Sequence, residues 1–330
     1  MQYRIDERSG NKLSVLGFGC MRFSRNISGI DLKKSEALIM RAIEAGVNYF
    51  DTAYIYPGSE TALGTALAKN NVRDKVFIAT KLPIYSCNAT ADFDKFLSAQ
   101  LTALSTTYLD YYLMHNLSTL DHWNKLCDLG IKDWIRKKKA EGKIKQIGFS
   151  FHGVKDEFEK LLNAYDWDFC QIQYNYANET YQAGVSGLKM AADKHMPIII
   201  MEPLLGGRLA TGLSPAALTE FQKVIPDRSS AAWAMRWLWN QPEVTVVLSG
   251  MNALPQLEDN LKSASDATPG VLTEEEKQAY SKVLEIFRST DKIPCTGCSY
   301  CMPCPAGVNI PGCFASYNAS YSHGRIAGFT

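Results

Sequence analysis

Pro197-Ile198-Ile199-Ile200-Met201 and Val244-Thr245-Val246-Val247-Leu248 are short, near-continuous apolar runs rich in β-branched residues. Strands that read this way are buried on both faces, as in a parallel sheet covered by helices. Comparable runs lie at about 48–53, 76–81, 109–115, 144–150 and 169–175, and Leu16-Gly17-Phe18-Gly19-Cys20 supplies a short first strand. Helical patterns at about 59–68, 91–104, 122–140, 154–163, 181–194 and 229–240 separate them, and Asp31 opens a further helix that runs through Ala45 and stops at Gly46. Eight β/α units within about 250 residues predict an α/β fold of the (β/α)8 TIM-barrel type. An open doubly wound sheet would need a glycine-rich dinucleotide turn, and Gly17-Phe18-Gly19 lacks both the third glycine and the acidic ribose ligand. Tyr3 to Ile5 and Lys12 to Val15 flank Ser9-Gly10-Asn11 and predict an N-terminal β-hairpin. The expected division is a barrel over residues 1–265, then a helical segment and cysteine-rich tail over 266–330.

The chain has 330 residues, 46% hydrophobic and 21% charged, enough for one large core and a small appendage. Its formal net charge of +1 gives no electrostatic reason for a nucleic-acid or anionic-membrane partner. Met1 to Asp6 lacks a basic segment followed by an apolar one, and no apolar run approaches the roughly 18 residues that span a bilayer. A cytoplasmic protein is expected. Cys20, Cys87, Cys127 and Cys170 stand singly, as small buried hydrophobes do. The other five cysteines crowd into 295–313.

In a barrel, chemistry sits where strands end and helices begin. Three strand ends carry polar groups there: Tyr49-Phe50-Asp51-Thr52-Ala53-Tyr54-Ile55-Tyr56, Val76-Phe77-Ile78-Ala79-Thr80-Lys81, and Leu109-Asp110-Tyr111-Tyr112-Leu113-Met114-His115. Asp51, Tyr56, Lys81 and His115 would meet at one rim. Together they suit carbonyl reduction, in which Tyr56 gives the developing alkoxide its proton. Lys81 is expected to lower the phenol's pKa, Asp51 to keep Lys81 charged and aimed, and His115 to hold the carbonyl oxygen. The bland alternative for the pair alone is a helix-capping Asp51 and a surface Tyr56.

These residues resemble the tetrad of the aldo/keto reductase superfamily, whose D-T-A-x-x-Y segment is matched by Asp51 and Tyr56, with Lys81 and His115 in the lysine and histidine places. The resemblance covers Tyr3 to about Leu261. It implies NADP(H), with NAD(H) as the other candidate, and a small-molecule carbonyl substrate. It also implies a nicotinamide site at Ser150 and Gln171, with Met201 in the place of a stacking aromatic. Phe151-His152 follows Ser150 where the family usually has asparagine. Pro203, Leu204, Gly206 and Arg208 fall where the pyrophosphate is expected. Ser249, Gly250, Met251, Gln256 and Asn260 match the adenosine-phosphate segment, with Gln256 where NADPH-preferring members often carry arginine.

Cys295-Thr296-Gly297-Cys298-Ser299-Tyr300-Cys301-Met302-Pro303-Cys304-Pro305 places four cysteines at three-residue intervals. The run resembles a ferredoxin-type ligand set for a 4Fe–4S cluster, with Cys295, Cys298, Cys301 and Cys304 as ligands, although such runs usually have one more residue before the last cysteine. Zinc is the rival, and disulfides are disfavoured by compartment. Cys313 is the alternative to Cys304. The tail narrows the resemblance to the iron–sulfur branch of the superfamily. It leaves open an electron-transfer role with a redox protein partner, a structural staple, or a redox-sensing nucleotide-binding protein with little carbonyl turnover.

Overall fold

The computed structural model describes residues 1–27, 29–295, 297 and 301–322. Eight parallel strands close into a barrel: β1 (Leu16–Gly19), β2 (Tyr49–Asp51), β3 (Phe77–Leu82), β4 (Leu109–Met114), β5 (Ile144–Phe151), β6 (Phe169–Gln173), β7 (Ile198–Met201) and β8 (Val244–Ser249). Each strand pairs with its sequence neighbours and β8 returns to β1, with Leu248 opposite Gly17. That closure pairs both sheet edges, and with the interior filled and helices outside, strands such as Ile198 to Ile200 are buried on both faces. At Gly17 the reason for glycine is direct: an added Cβ would lie 2.7 Å from both Leu248 and Val246 side chains. The Gly-Phe-Gly segment therefore serves barrel packing.

The barrel interior is filled by Tyr49, Tyr111, Leu113, Phe169, Ile199, Val246 and Leu248. The hairpin, Tyr3–Ile5 against Lys12–Ser14, closes its lower end, where the Tyr111 hydroxyl donates to Asp6 Oδ2 at 2.8 Å.

The outer helices are α1 (Leu32–Glu44), α2 (Ser59–Lys69), α3 (Thr90–Ala103), α4 (Leu120–Asp128), α5 (Ile131–Ala140), α6 (Lys155–Ala164), α7 (Gly184–Ala192), α8 (Arg208–Thr211), α9 (Pro215–Val224), α10 (Ser230–Trp239) and α11 (Leu254–Ser265). The single helix expected over 122–140 is two, because Gly130 takes a left-handed φ of +84° between them. In the basic run Arg136-Lys137-Lys138-Lys139 near the end of α5, Lys138 is buried and reaches Asp94 at 2.7 Å, and Lys139 reaches Asp168 at 2.6 Å. Trp233 is core, stacked on Phe221 with ring centroids 4.4 Å apart, in a second cluster that α12 (Glu274–Thr290) completes. A further helix, α13 (Ile310–Ser322), was not legible from periodicity, since small and polar residues occupy most of its positions. Among the described residues, no helix is long and apolar enough to cross a membrane.

Gly64 sets the distance between α2 and the end of α3. A Cβ there would meet Ala103 O and Leu104 C, each at 2.5 Å, both backbone atoms that cannot rotate aside. Gly64→Ala is expected to destabilise the fold by about 2 kcal/mol through overpacking, read as a lowered midpoint in urea unfolding.

Candidate active site

The four strand-end residues converge at the C-terminal mouth. Lys81 Nζ lies 2.6 Å from Asp51 Oδ1 and 2.7 Å from the Thr52 carbonyl, with side chains only 2% and 6% exposed. Lys81 Nζ is 5.2 Å from the centre of the Tyr56 ring, and the Tyr56 and His115 rings meet edge-on at 6.0 Å. Tyr56 is half-buried, and no hydrogen bond among the described residues claims its hydroxyl. Asp51 and Lys81 face inward because they sit two residues beyond the core positions Tyr49 and Ala79 on their strands.

A network unanticipated from the sequence holds Lys81 from behind. Gln100 Nε2 donates to the Lys81 carbonyl at 3.0 Å and to Glu60 Oε1 at 2.8 Å. Thr80 donates to the same carboxylate at 2.5 Å, and the Tyr112 hydroxyl to Gln100 Oε1 at 2.7 Å. These groups come from α2, α3, β3 and β4, so only the packed fold relates them.

The electrostatics correct one expectation. Burial, followed by the charges of Asp51 and Glu202, pushes the Tyr56 phenol up rather than down. The Lys81 ammonium is bonded to Asp51 and the Thr52 carbonyl, so it does not draw the phenol down, and Tyr56 is held protonated as a donor. Burial also pushes Asp51 up, against the pull of Lys81 and Gln171. His115 is driven well below the ordinary histidine value by burial, then by Lys81 and His152.

His152 is held down to about 4 by burial, opposed by a hydrogen bond with Gln182 and aided by Lys81. Its folded value lies below the ordinary unfolded one of about 6.5, so between those values the unfolded chain binds a proton that the folded chain does not. Stability is therefore full above about pH 6.5 and is lost as the pH falls towards 4. Unfolding midpoints measured across that range should decline less steeply in His152→Gln.

At the expected nicotinamide site, Gln171 Nε2 donates to Asp51 Oδ2 at 3.2 Å while its buried Oε1 has no partner. That orphaned acceptor fits a carboxamide N–H. Ser150 is adjacent on β5 and accepts from the Asn116 N–H at 2.8 Å. Met201 ends β7 opposite Gln173, whose amide is fully buried with both polar atoms unpartnered. Gln173 was missed, although the two-residue strand period from Gln171 would have found it.

The expected phosphate residues make these contacts within the chain. Pro203 is buried and Leu204 half-buried, and Gly206 takes a left-handed φ of +68°. Arg208 is turned to the C-terminal segment: it pairs with Asp291, donates to the Cys295 carbonyl at 3.0 Å and covers the Phe287 ring at 5.2 Å. Gln256 Oε1 accepts from the Asn252 N–H at 3.0 Å. Asn260 is buried and donates to Ser249 Oγ at 2.9 Å, Met251 is packed into the core, and Gly250 is exposed.

Of the expected cluster ligands, Cys298 lies outside the described residues. Cys301 is exposed, and Cys295 and Cys304 are half-buried. Among the described residues, no three His, Cys, Asp or Glu side chains gather as a metal site, so they do not by themselves form a cluster cradle.

The chain is 25% identical over 300 residues to the uncharacterized oxidoreductase YqkF of Bacillus subtilis, covering 81% of this chain and 91% of that one. It is 27% identical over 254 residues to the methylglyoxal reductase YeaE of Escherichia coli, covering 75% and 84%. Its fold matches the holo form of aldo-keto reductase AKR11C1 from Bacillus halodurans with a TM-score of 0.69 at 23% identity, over 86% of this chain and 96% of that one. It also matches an aldo-keto reductase from Klebsiella pneumoniae in complex with NADPH, with a TM-score of 0.70 at 20% identity, over 86% and 95%. The aldo/keto reductase family model covers residues 15–283, so the chain belongs to that family and is an NAD(P)H-dependent oxidoreductase.

Proposed function

We propose that this enzyme reduces an aldehyde or ketone, or runs the reverse oxidation, at the mouth formed by Asp51, Tyr56, Lys81 and His115. The observation that carries the reading is the buried Lys81–Asp51 pair set beneath the Tyr56 ring, with the His115 ring against that tyrosine's edge. Gln171, Ser150 and Met201 would hold the nicotinamide, which supplies the hydride when bound. Tyr56, held protonated, gives its phenolic proton to the carbonyl oxygen as negative charge develops there. His115, kept neutral by burial, offers that oxygen a hydrogen bond and no full charge. Lys81 fixes the floor of the site and, with Asp51, presents a preorganised dipole rather than a free cation. NADP(H) and NAD(H) are both admitted, because Gln256 is neutral and bonded within its own loop. The relative named a methylglyoxal reductase supports a small carbonyl compound as substrate.

The finer part of the proposal is a 4Fe–4S cluster in the tail and a cytoplasmic setting. Its support is the cysteine spacing alone, and no step above passes through the cluster. Iron and acid-labile sulfide assayed on anaerobically purified protein test it; protein lacking both removes this part. The division after residue 265 belongs to the same proposal. A second reading, a redox-sensing nucleotide-binding protein with a protein partner, draws on the Arg208–Asp291 link between the β7 loop and the tail segment. Anaerobic oxidation of NADPH and NADH against a panel of aldehydes and ketones separates the two. Turnover supports the reductase, and tight nucleotide binding without turnover supports the sensor.

A further inference from the structure

Asp51, Lys81 and His115 stand at or just beyond strand ends, where the barrel ladder holds them. Tyr56 does not: it lies in the connection between β2, which ends at Asp51, and α2, which begins at Ser59. Its backbone is held by turn bonds, from its own N–H to the Ala53 carbonyl and from the Ser59 N–H to its carbonyl, each at 3.0 Å. A proton donor has to keep its place relative to the rest of the site, since small displacements of a reacting group cost large factors in rate.

The first turn of α2 supplies that anchorage. Ser59 and Glu60 are both buried there. Ser59 Oγ donates to the Cys20 carbonyl at 2.9 Å and meets Thr52 Oγ1 at 2.8 Å, and the carbonyl of Thr52 is the one that accepts from Lys81 Nζ. On the other side, Glu60 Oε1 accepts from Thr80 and from Gln100 Nε2, and the same Gln100 amide donates to Thr80 Oγ1 at 3.0 Å and to the Lys81 carbonyl. The Tyr112 hydroxyl fixes the far end of that amide. Thr80 faces outward because Lys81, next to it on β3, faces inward. Two bonded routes therefore lead from the helix that Tyr56 precedes to the strand end that carries Lys81. Around them the layer between helices and barrel is apolar, with Leu63, Leu67, Phe96 and Leu97 in the core. Buried polar groups in such a layer carry a desolvation cost that apolar residues of like shape would not, and what they add is direction.

We propose that Glu60 and Gln100 are positioning residues for the reduction, clamping the first turn of α2 to β3 and so holding the Tyr56 phenol in place above Lys81. This rests on the reductase reading above. Both residues lie on the outer side of β3, so they act through Tyr56, by limiting how far its ring moves from its 5.2 Å separation from Lys81 Nζ.

The test is a mutant cycle on the full-length protein, with Gln100→Leu and Glu60→Gln made in the wild type and in Tyr56→Phe. Steady-state oxidation of NADPH by an accepted aldehyde is measured together with nucleotide affinity. Gln100→Leu is expected to lower kcat by about tenfold, with KM for the aldehyde and nucleotide affinity little changed. Glu60→Gln, whose amide oxygen can still accept both bonds, should retain most of the wild-type kcat. In the Tyr56→Phe background Gln100→Leu should have almost no further effect on the residual rate, because the group it positions has lost its proton. Should Gln100→Leu fail to fold, Thr80→Val keeps the shape, removes one arm of the clamp and carries the same comparison. An unchanged kcat in the folded variant overturns the proposal. So does an equal loss with and without the Tyr56 hydroxyl, the mark of a merely structural role, or a Glu60→Gln as slow as Gln100→Leu. A wild type that turns over no carbonyl with either nucleotide, or a fully active Tyr56→Phe, instead defeats the reductase reading and takes this proposal with it.

Discussion

Tyr56→Phe should lower carbonyl turnover by about 10²- to 10⁴-fold, the range that loss of a positioned proton donor costs. Nucleotide affinity should change little, because the ring and its contact with His115 survive and only the hydroxyl is removed. Stability should also hold, since no hydrogen bond among the described residues depends on that hydroxyl. The combination is diagnostic: a merely structural tyrosine would show the opposite pattern, with folding impaired and turnover per folded molecule preserved. Steady-state NADPH oxidation with an accepted aldehyde, set beside a binding titration on the same samples, measures both. Turnover unchanged in Tyr56→Phe would remove this residue from the chemistry and with it the central claim of the proposed mechanism.

The second large effect is on stability as well as activity. Lys81 and Asp51 are both buried, and the ammonium has three acceptors' worth of demand met in part by Asp51 and the Thr52 carbonyl. Lys81→Met leaves the Asp51 carboxylate without its counter-charge in a desolvated site. Loss of one partner of a buried pair costs about 3–5 kcal/mol. Burial already pushes Asp51 towards its neutral form, so part of that cost will appear as uptake of a proton. The double variant Asp51→Asn/Lys81→Met removes both charges and should recover much of the loss in urea unfolding, while remaining as inactive as the single variant. A single variant as stable as the wild type would show that the pair is not electrostatically coupled as its 2.6 Å separation implies.

Much of the architecture could be read from local pattern. Val244 to Leu248 and Ile198 to Ile200 are buried on both faces, and residues of that kind leave few alternatives to a helix-covered parallel sheet. Asp51, Lys81 and His115 were legible for a related reason: each is a polar residue at the end of an otherwise apolar strand, a position whose cost in a packed interior demands a partner. The break at Gly130 was less visible, because a glycine is compatible with either a helix interior or its end until the flanking contacts choose.

The linear chain therefore determined which residues would stand at the barrel mouth, since strand period and strand length act locally and each strand carries its own polar terminus. It could not say what those residues would touch. That Lys81 is bonded to Asp51 while the Tyr56 phenol is pushed up follows from burial summed over several strands. That Arg208 turns to Asp291, 83 positions further along the chain, follows from α12 packing back over α9 and α10. Gln100 and Glu60 are ordinary helix residues by local pattern, and they acquire roles only through neighbours distant in the chain. Distances and desolvation are collective properties of the closed fold, whereas the order of apolar and polar residues is a property of each segment.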